Sequence, residues 1–195
     1  MNDLLHHSVS RRQYLAAGLG IAATPFVVPA VFGAPGKPDL VVVKGGEGLA
    51  PNEAAYQRLK AGTERMGGLK GIVSGKHVFI KVNATERSSQ DANTSCAATA
   101  ALLRLCKEAG ASGMTVFGQE WGGFDSVRAG QPTLRQVIKD GEADLVELPH
   151  YWVKGADESF RACKPEDDVW HGLMVAKQLF AEDSVVLNLA LSLIH

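Results

Sequence analysis

The sequence predicts an α/β domain, a mostly parallel sheet with flanking helices in Rossmann-like layering. Two observations carry that expectation. Short Val-rich apolar runs at 39–44, 77–83, 114–118 and 143–148 have the length and composition of buried strands. Between them, residues 52–66, 94–109 and 133–139 place apolar side chains at helical spacing, and the first two stretches are closed by glycine. Strands that alternate with helices are joined by crossovers, and crossovers make neighbouring strands parallel.

The elements follow in order. Asp39-Leu40-Val41-Val42-Val43-Lys44 reads as a strand that leaves into the Gly-rich loop Gly45-Gly46-Glu47-Gly48. A helix over 52–66 carries Ala54, Ala55, Leu59 and Met66 among charges and stops at Gly67-Gly68. Ser74-Gly75-Lys76 turns the chain into the strand His77 to Asn83. The polar stretch 84–93 has the length and composition of a functional loop. A helix over 94–109 has a broad face of Ala97, Ala100, Ala101, Leu102, Leu105 and Ala109, with Asn93, Thr94 and Ser95 as candidate caps. A strand over 114–118, a short helix over 133–139 and a strand over 143–148 complete the alternation. The stretches 172–180 and 183–190 are expected to be extended, joined by a polar turn as a hairpin or a strand pair at the sheet.

A length of 195 residues, 46% of them apolar and 21% charged, suits one globular domain behind a leader. The net charge of -1, without a Lys/Arg run interleaved with aromatics, argues against nucleic acid as a partner. Cys96, Cys106 and Cys163 form no C-x-x-C pair, so they spell no zinc or iron–sulfur site. Buried free thiols are expected, with a Cys106 to Cys163 disulfide as the alternative.

The leader is the most specific feature of the chain. Ser10-Arg11-Arg12-Gln13-Tyr14-Leu15 matches the twin-arginine signal, with Arg11 and Arg12 as the pair read by the translocase. No charge occurs from Gln13 to Gly36, and Gly18, Gly20, Pro25 and Pro29 keep the stretch only moderately hydrophobic. Residues 1–34 are therefore expected to be a signal peptide cleaved after Gly33 or Ala34 rather than a permanent membrane span. A linker over 35–38 precedes the domain at 39–195. The expected partner during export is the twin-arginine translocase, and the expected location is periplasmic or extracytoplasmic.

Three pieces of the mature chain carry a resemblance. They are Val41-Val42-Val43-Lys44-Gly45, then Val73-Ser74-Gly75-Lys76-His77-Val78-Phe79-Ile80-Lys81-Val82-Asn83, then Leu103 to Val116 with Glu108-Ala109-Gly110-Ala111. In this order they resemble the family known as domain of unknown function 362, from about residue 39 onward. That family closes the second piece with Lys-Pro-Asn, where this chain has Lys81-Val82-Asn83. The resemblance implies no settled reaction. Some members carry ferredoxin-type cysteine clusters, and this chain lacks that motif. Leu187-Asn188-Leu189 corresponds to a later strand of the family, and Leu191-Ser192-Leu193-Ile194-His195 looks like translated adapter sequence. Residues after about Ala190 are thus expected to be non-native, and the domain is expected to be incomplete at the C-terminus.

Open α/β sheets place ligands at the loops that leave the C-terminal ends of parallel strands. The candidate tips are 44–48, 81–93 and 118–125, with Asn188 added. Lys44, Lys81, Asn83 and Asn188 are the candidate donors to a small anionic ligand. Glu120 and Asp125, flanked by glycines and aromatics directly after a strand, are the candidate metal ligands or acid–base pair. The cofactor is left open, with a metal ion as the candidate. His77 sits at the opposite strand end and reads as structural, while His150 and His171 belong with Tyr151, Trp152 and Trp170 in an aromatic cluster. Two functions follow: an exported metal- or redox-associated enzyme acting on a small anion, or a periplasmic binding module without catalysis.

Overall fold

The computed structural model describes residues 40–119, 121–149, 158–163 and 173–190. The expected signal peptide and linker, Glu120, His150, His171 with their aromatic neighbours, and residues 191–195 lie outside the described residues.

The helices are α1 (Pro51–Arg65), α2 (Lys70–Val73), α3 (Cys96–Glu108) and α4 (Leu134–Asp140). The strands are β1 (His77–Val82), β2 (Gly113–Gln119), β3 (Asp144–Leu148), β4 (Phe160–Cys163), β5 (Leu173–Ala176) and β6 (Ser184–Leu189). Four strands form one sheet in the order β3-β2-β1-β6, every pair parallel. The α/β reading therefore holds.

Register separates the two faces. Val78, Ile80 and Val82 alternate with His77, Phe79 and Lys81, so the first three share a face with Met114, Val116, Leu145, Val185 and Leu187. That face meets Leu102, Leu103 and Cys106 of α3, Val137 and Ile138 of α4, and Val73 of α2. Val78, Ile80 and Val116 are completely buried there. Each such side chain contributes about 1.5–3 kcal/mol by leaving water. On the other face Phe79, Phe117, Val146 and Leu148 pack against Phe160 and Ala176 of the antiparallel β4–β5 pair. Helix α1 forms an outer layer, laying Tyr56 on Ala101 and Leu105 of α3.

Helix starts follow cap chemistry. Of the three candidate caps for α3, Ser95 is the one used: its Oγ accepts from the Ala98 N–H at 3.4 Å. Thr133 does the same for α4, accepting from the Gln136 N–H at 3.1 Å. Asn93 and Thr94 are buried and have other tasks, described below.

Two expectations are corrected. Residues 40–44 form no strand. Val41 and Val43 are half-buried, Val43 lying 3.3 Å from the place of a Cβ on Gly62 of α1, while Leu40, Val42 and Lys44 are exposed. The segment leans on a helix instead of joining a ladder, and Val-rich composition makes a strand only where a partner edge accepts it. The segments 172–180 and 183–190, expected as a hairpin or a strand pair at the sheet, do not pair with each other. β5 pairs with β4, a 3₁₀ turn follows at Lys177–Phe180, and β6 joins β1 in parallel. Periodicity registers two extended segments but not which sheet each enters.

Cys96 and Cys106 are free thiols, so the disulfide alternative for Cys106 does not occur. Burial pushes the Cys106 thiol up to about 11 and raises that of Cys96, which makes both poor nucleophiles. His77 is a structural residue as expected, half-buried with Nε2 2.8 Å from the Thr115 hydroxyl. No helix among the described residues is long and apolar enough to cross a membrane.

Candidate functional site

The loop that leaves β1 is built around buried polar side chains. Asn93 is 2% exposed and works as a clasp: its Oδ1 accepts from the Glu86 N–H at 2.9 Å, and its Nδ2 donates to the carbonyls of Glu86 at 2.6 Å and Ser89 at 3.1 Å. Thr94, equally buried, ties two strand ends together. Its hydroxyl accepts from the Asn83 N–H at 2.8 Å and donates to the Leu189 carbonyl of β6 at 3.1 Å. Its own N–H donates to the Asn83 carbonyl at 2.7 Å. Gln90 is buried too and donates through Nε2 to the carbonyls of Ser126 at 3.3 Å and Pro132 at 2.9 Å, which joins this loop to the one that leaves β2.

The two loops also touch through backbone. The Gly123 N–H donates to the Ala84 carbonyl at 3.2 Å, and a Cβ on Gly123 would lie 2.3 Å from that carbonyl's carbon and oxygen. Gly118, at the end of β2, is equally constrained, since a Cβ there would meet the Val82 oxygen at 2.9 Å. Glycine at these two places is a packing requirement.

The expected donors fall into three situations. Lys81 and Asn188 are exposed and stand side by side, paired in register on β1 and β6, which sets their Cα atoms about 5 Å apart across neighbouring strands. Neither has a hydrogen-bond or ion-pair partner among the described residues. Asn83 is half-buried and serves the loop, with Nδ2 donating to the Ala92 carbonyl at 3.3 Å and Oδ1 accepting from the Thr85 hydroxyl at 3.4 Å. Lys44 is exposed but stands at no strand end. Its segment is held on α1, where Arg58 Nε donates to the Gly45 carbonyl at 2.6 Å. Helix α1 in turn meets the C-terminal half of α3, through Glu53 on Arg104 and Tyr56 on Glu108. Lys81 and Asn188 lie toward the N-terminal end of α3, beside Thr94, so the structure does not gather Lys44 with them.

Asp125 ends the 3₁₀ turn Gly123–Asp125 and is gripped by Arg135 of α4. Nε donates to Oδ1 at 2.7 Å and Nη2 to Oδ2 at 2.8 Å, while Nη2 also donates to Oε1 of Glu147 on β3 at 2.6 Å. These charge-assisted bonds hold the Asp125 carboxyl below its ordinary range. Both Asp125 oxygens thus accept from one guanidinium, while the side chain itself stays exposed. Among the described residues no three His, Cys, Asp or Glu side chains converge on a metal position. Glu120, the other expected metal ligand, lies outside the described residues.

Sequence reasoning named the tip 81–93 without singling out Asn93, and it missed Thr94 and Arg135 as parts of this edge. One signal was available: three polar cap candidates precede α3 and a helix uses one, so the other two had to be satisfied elsewhere. Comparison with protein-family models, with curated proteins and with solved structures found no match to this chain.

Proposed function

We propose that this chain is an exported protein, carried by the twin-arginine translocase to the periplasm, that binds a small anionic ligand at the C-terminal edge of its parallel sheet. The observation that carries the binding reading is the in-register pair of Lys81 and Asn188, a cation and an amide donor exposed together at adjoining strand ends with no hydrogen-bond or ion-pair partner among the described residues. An ammonium and an amide N–H₂ are both donors, and an anion satisfies both. Asn83 and Thr94 support this reading by fixing the backbone where β1 ends and by tying it to β6. Of the two functions expected from the sequence, the binding module is favoured, because the exposed pair of Lys81 and Asn188 offers donors to a ligand.

Titration calorimetry of the full chain with inorganic phosphate and with succinate tests the site. Lys81→Ala is expected to weaken binding by about tenfold or more, the loss of one charge-assisted hydrogen bond. Asn188→Ala is expected to weaken it less. Unchanged affinity in Lys81→Ala would reject the site.

The leader has its own test. In a bacterium with a working twin-arginine translocase, replacing both Arg11 and Arg12 by Lys is expected to leave the protein in the cytoplasm as uncleaved precursor. Continued appearance in the periplasm at the wild-type level would remove the export part of the proposal.

A further inference from the structure

The face of the sheet that carries Lys81 and Asn188 is covered unevenly. Phe117 and Leu148, toward β2 and β3, are buried with Phe160 and Ala176 of the β4–β5 pair. Val186 of β6 stands on the same face and is 37% exposed.

Register orders what lies there. His77 is paired with Ser184, Phe79 with Val186 and Lys81 with Asn188, and alternate residues of a strand share a face. Toward the C-terminal ends of β1 and β6, this face therefore presents a polar pair, an apolar pair and then the cation and amide. Neighbouring pairs lie about 7 Å apart, two residues along a strand. Phe79 is half-buried, its ring edge-on to Phe117 at 6.4 Å between centroids and 4.8 Å from the His77 ring, so it is supported from two sides.

A single exposed valine is ordinary on a protein surface. What distinguishes Val186 is its place, since it completes an apolar rung with Phe79 directly beside the donor pair of the anion site proposed above. An inorganic ion engages only Lys81 and Asn188 and leaves that rung in water. An organic anion engages both, its head accepting N–H bonds and its body covering Phe79 and Val186.

We infer that the ligand of this edge is an organic carboxylate with a small apolar body, its head on Lys81 and Asn188 and its body along Phe79 and Val186. This rests on the anion-binding reading of Lys81 and Asn188. Lys81 brings one positive charge and Asn188 an uncharged amide, which a single carboxylate matches. The apolar rung is one pair deep and ends at His77 and Ser184, which sets the body at a short chain or a single ring.

The test is titration calorimetry of the full chain with acetate, hexanoate, succinate and inorganic phosphate. Hexanoate is expected to bind about tenfold more tightly than acetate, because its chain reaches the apolar rung. Val186→Thr, which replaces one methyl by a hydroxyl, is expected to cut that preference to about threefold. Its thermal transition is expected to equal that of the wild type, because residue 186 is exposed. Equal affinity for hexanoate and acetate, or tighter binding of phosphate or succinate than of hexanoate, would overturn the inference and leave the site standing, provided that Lys81→Ala weakens the anions that bind. A hexanoate preference that Val186→Thr leaves intact would overturn the placement of the body on Val186. If the wild type binds none of the four anions, the inference and the site both fall.

Discussion

Replacing Gly123 by alanine is expected to lower the thermal transition of the full chain by about 6–12 °C. The added Cβ would sit 2.3 Å from the carbon and oxygen of the Ala84 carbonyl and 2.8 Å from Asn93 Oδ1. Backbone cannot rotate away as a side-chain tip can, so one of the two loops must lift. Lifting breaks the Gly123 to Ala84 hydrogen bond and disturbs the seat of the neighbouring Phe124, which is completely buried. Overpacking of this kind costs about 3 kcal/mol, and each kcal/mol moves the transition of a chain this long by about 2–4 °C. Differential scanning calorimetry measures the shift. A transition within 2 °C or so of the wild type would show that the loops do not depend on this contact. Gly71→Ala gives the comparison, because its Cβ would meet nothing within 4 Å.

Asn93→Ala is expected to destabilise the chain by about 2 kcal/mol. Alanine removes three hydrogen bonds at once and leaves the N–H and carbonyl of Glu86 and the carbonyl of Ser89 to find water inside a packed loop. Asn93→Asp separates the donor and acceptor parts of the clasp. It keeps an acceptor for the Glu86 N–H but sets a carboxylate against two carbonyl oxygens, so it is expected to be at least as damaging as alanine. Urea denaturation measures both, and an aspartate variant as stable as the wild type would contradict the assigned contacts. Because Asn93 Oδ1 lies in the path of the Gly123 Cβ, the two substitutions are expected to be non-additive in combination.

Much of the fold was legible because it rests on local chemistry. The apolar run around Val78, Ile80 and Val82 has one face to bury and a turn before it, and it became β1. The Ala- and Leu-rich stretch before Gly110 became α3, with Ser95 supplying the cap its composition advertised. The Val-rich run at 40–44 was misread because composition states that a segment suits a ladder without stating that an edge is free to receive it. At the candidate site, Lys81 and Asn188 could each be named, since both lie at the ends of apolar runs. Their pairing across β1 and β6 could not, because 107 positions separate them and only sheet register brings them together.

Asp125 shows the same division. The sequence shows a carboxylate among glycines after a strand, but the guanidinium that binds it comes from a helix ten positions later whose orientation is set by packing on the sheet. What the sequence by itself determined is the alternation of strands and helices, their caps and the glycine punctuation, all of which follow from neighbours within a few residues. Only the tertiary structure decided which charges remain unpaired at the strand ends, because counter-ions are chosen by distance in space, and distance in space is set by register and packing rather than by order along the chain.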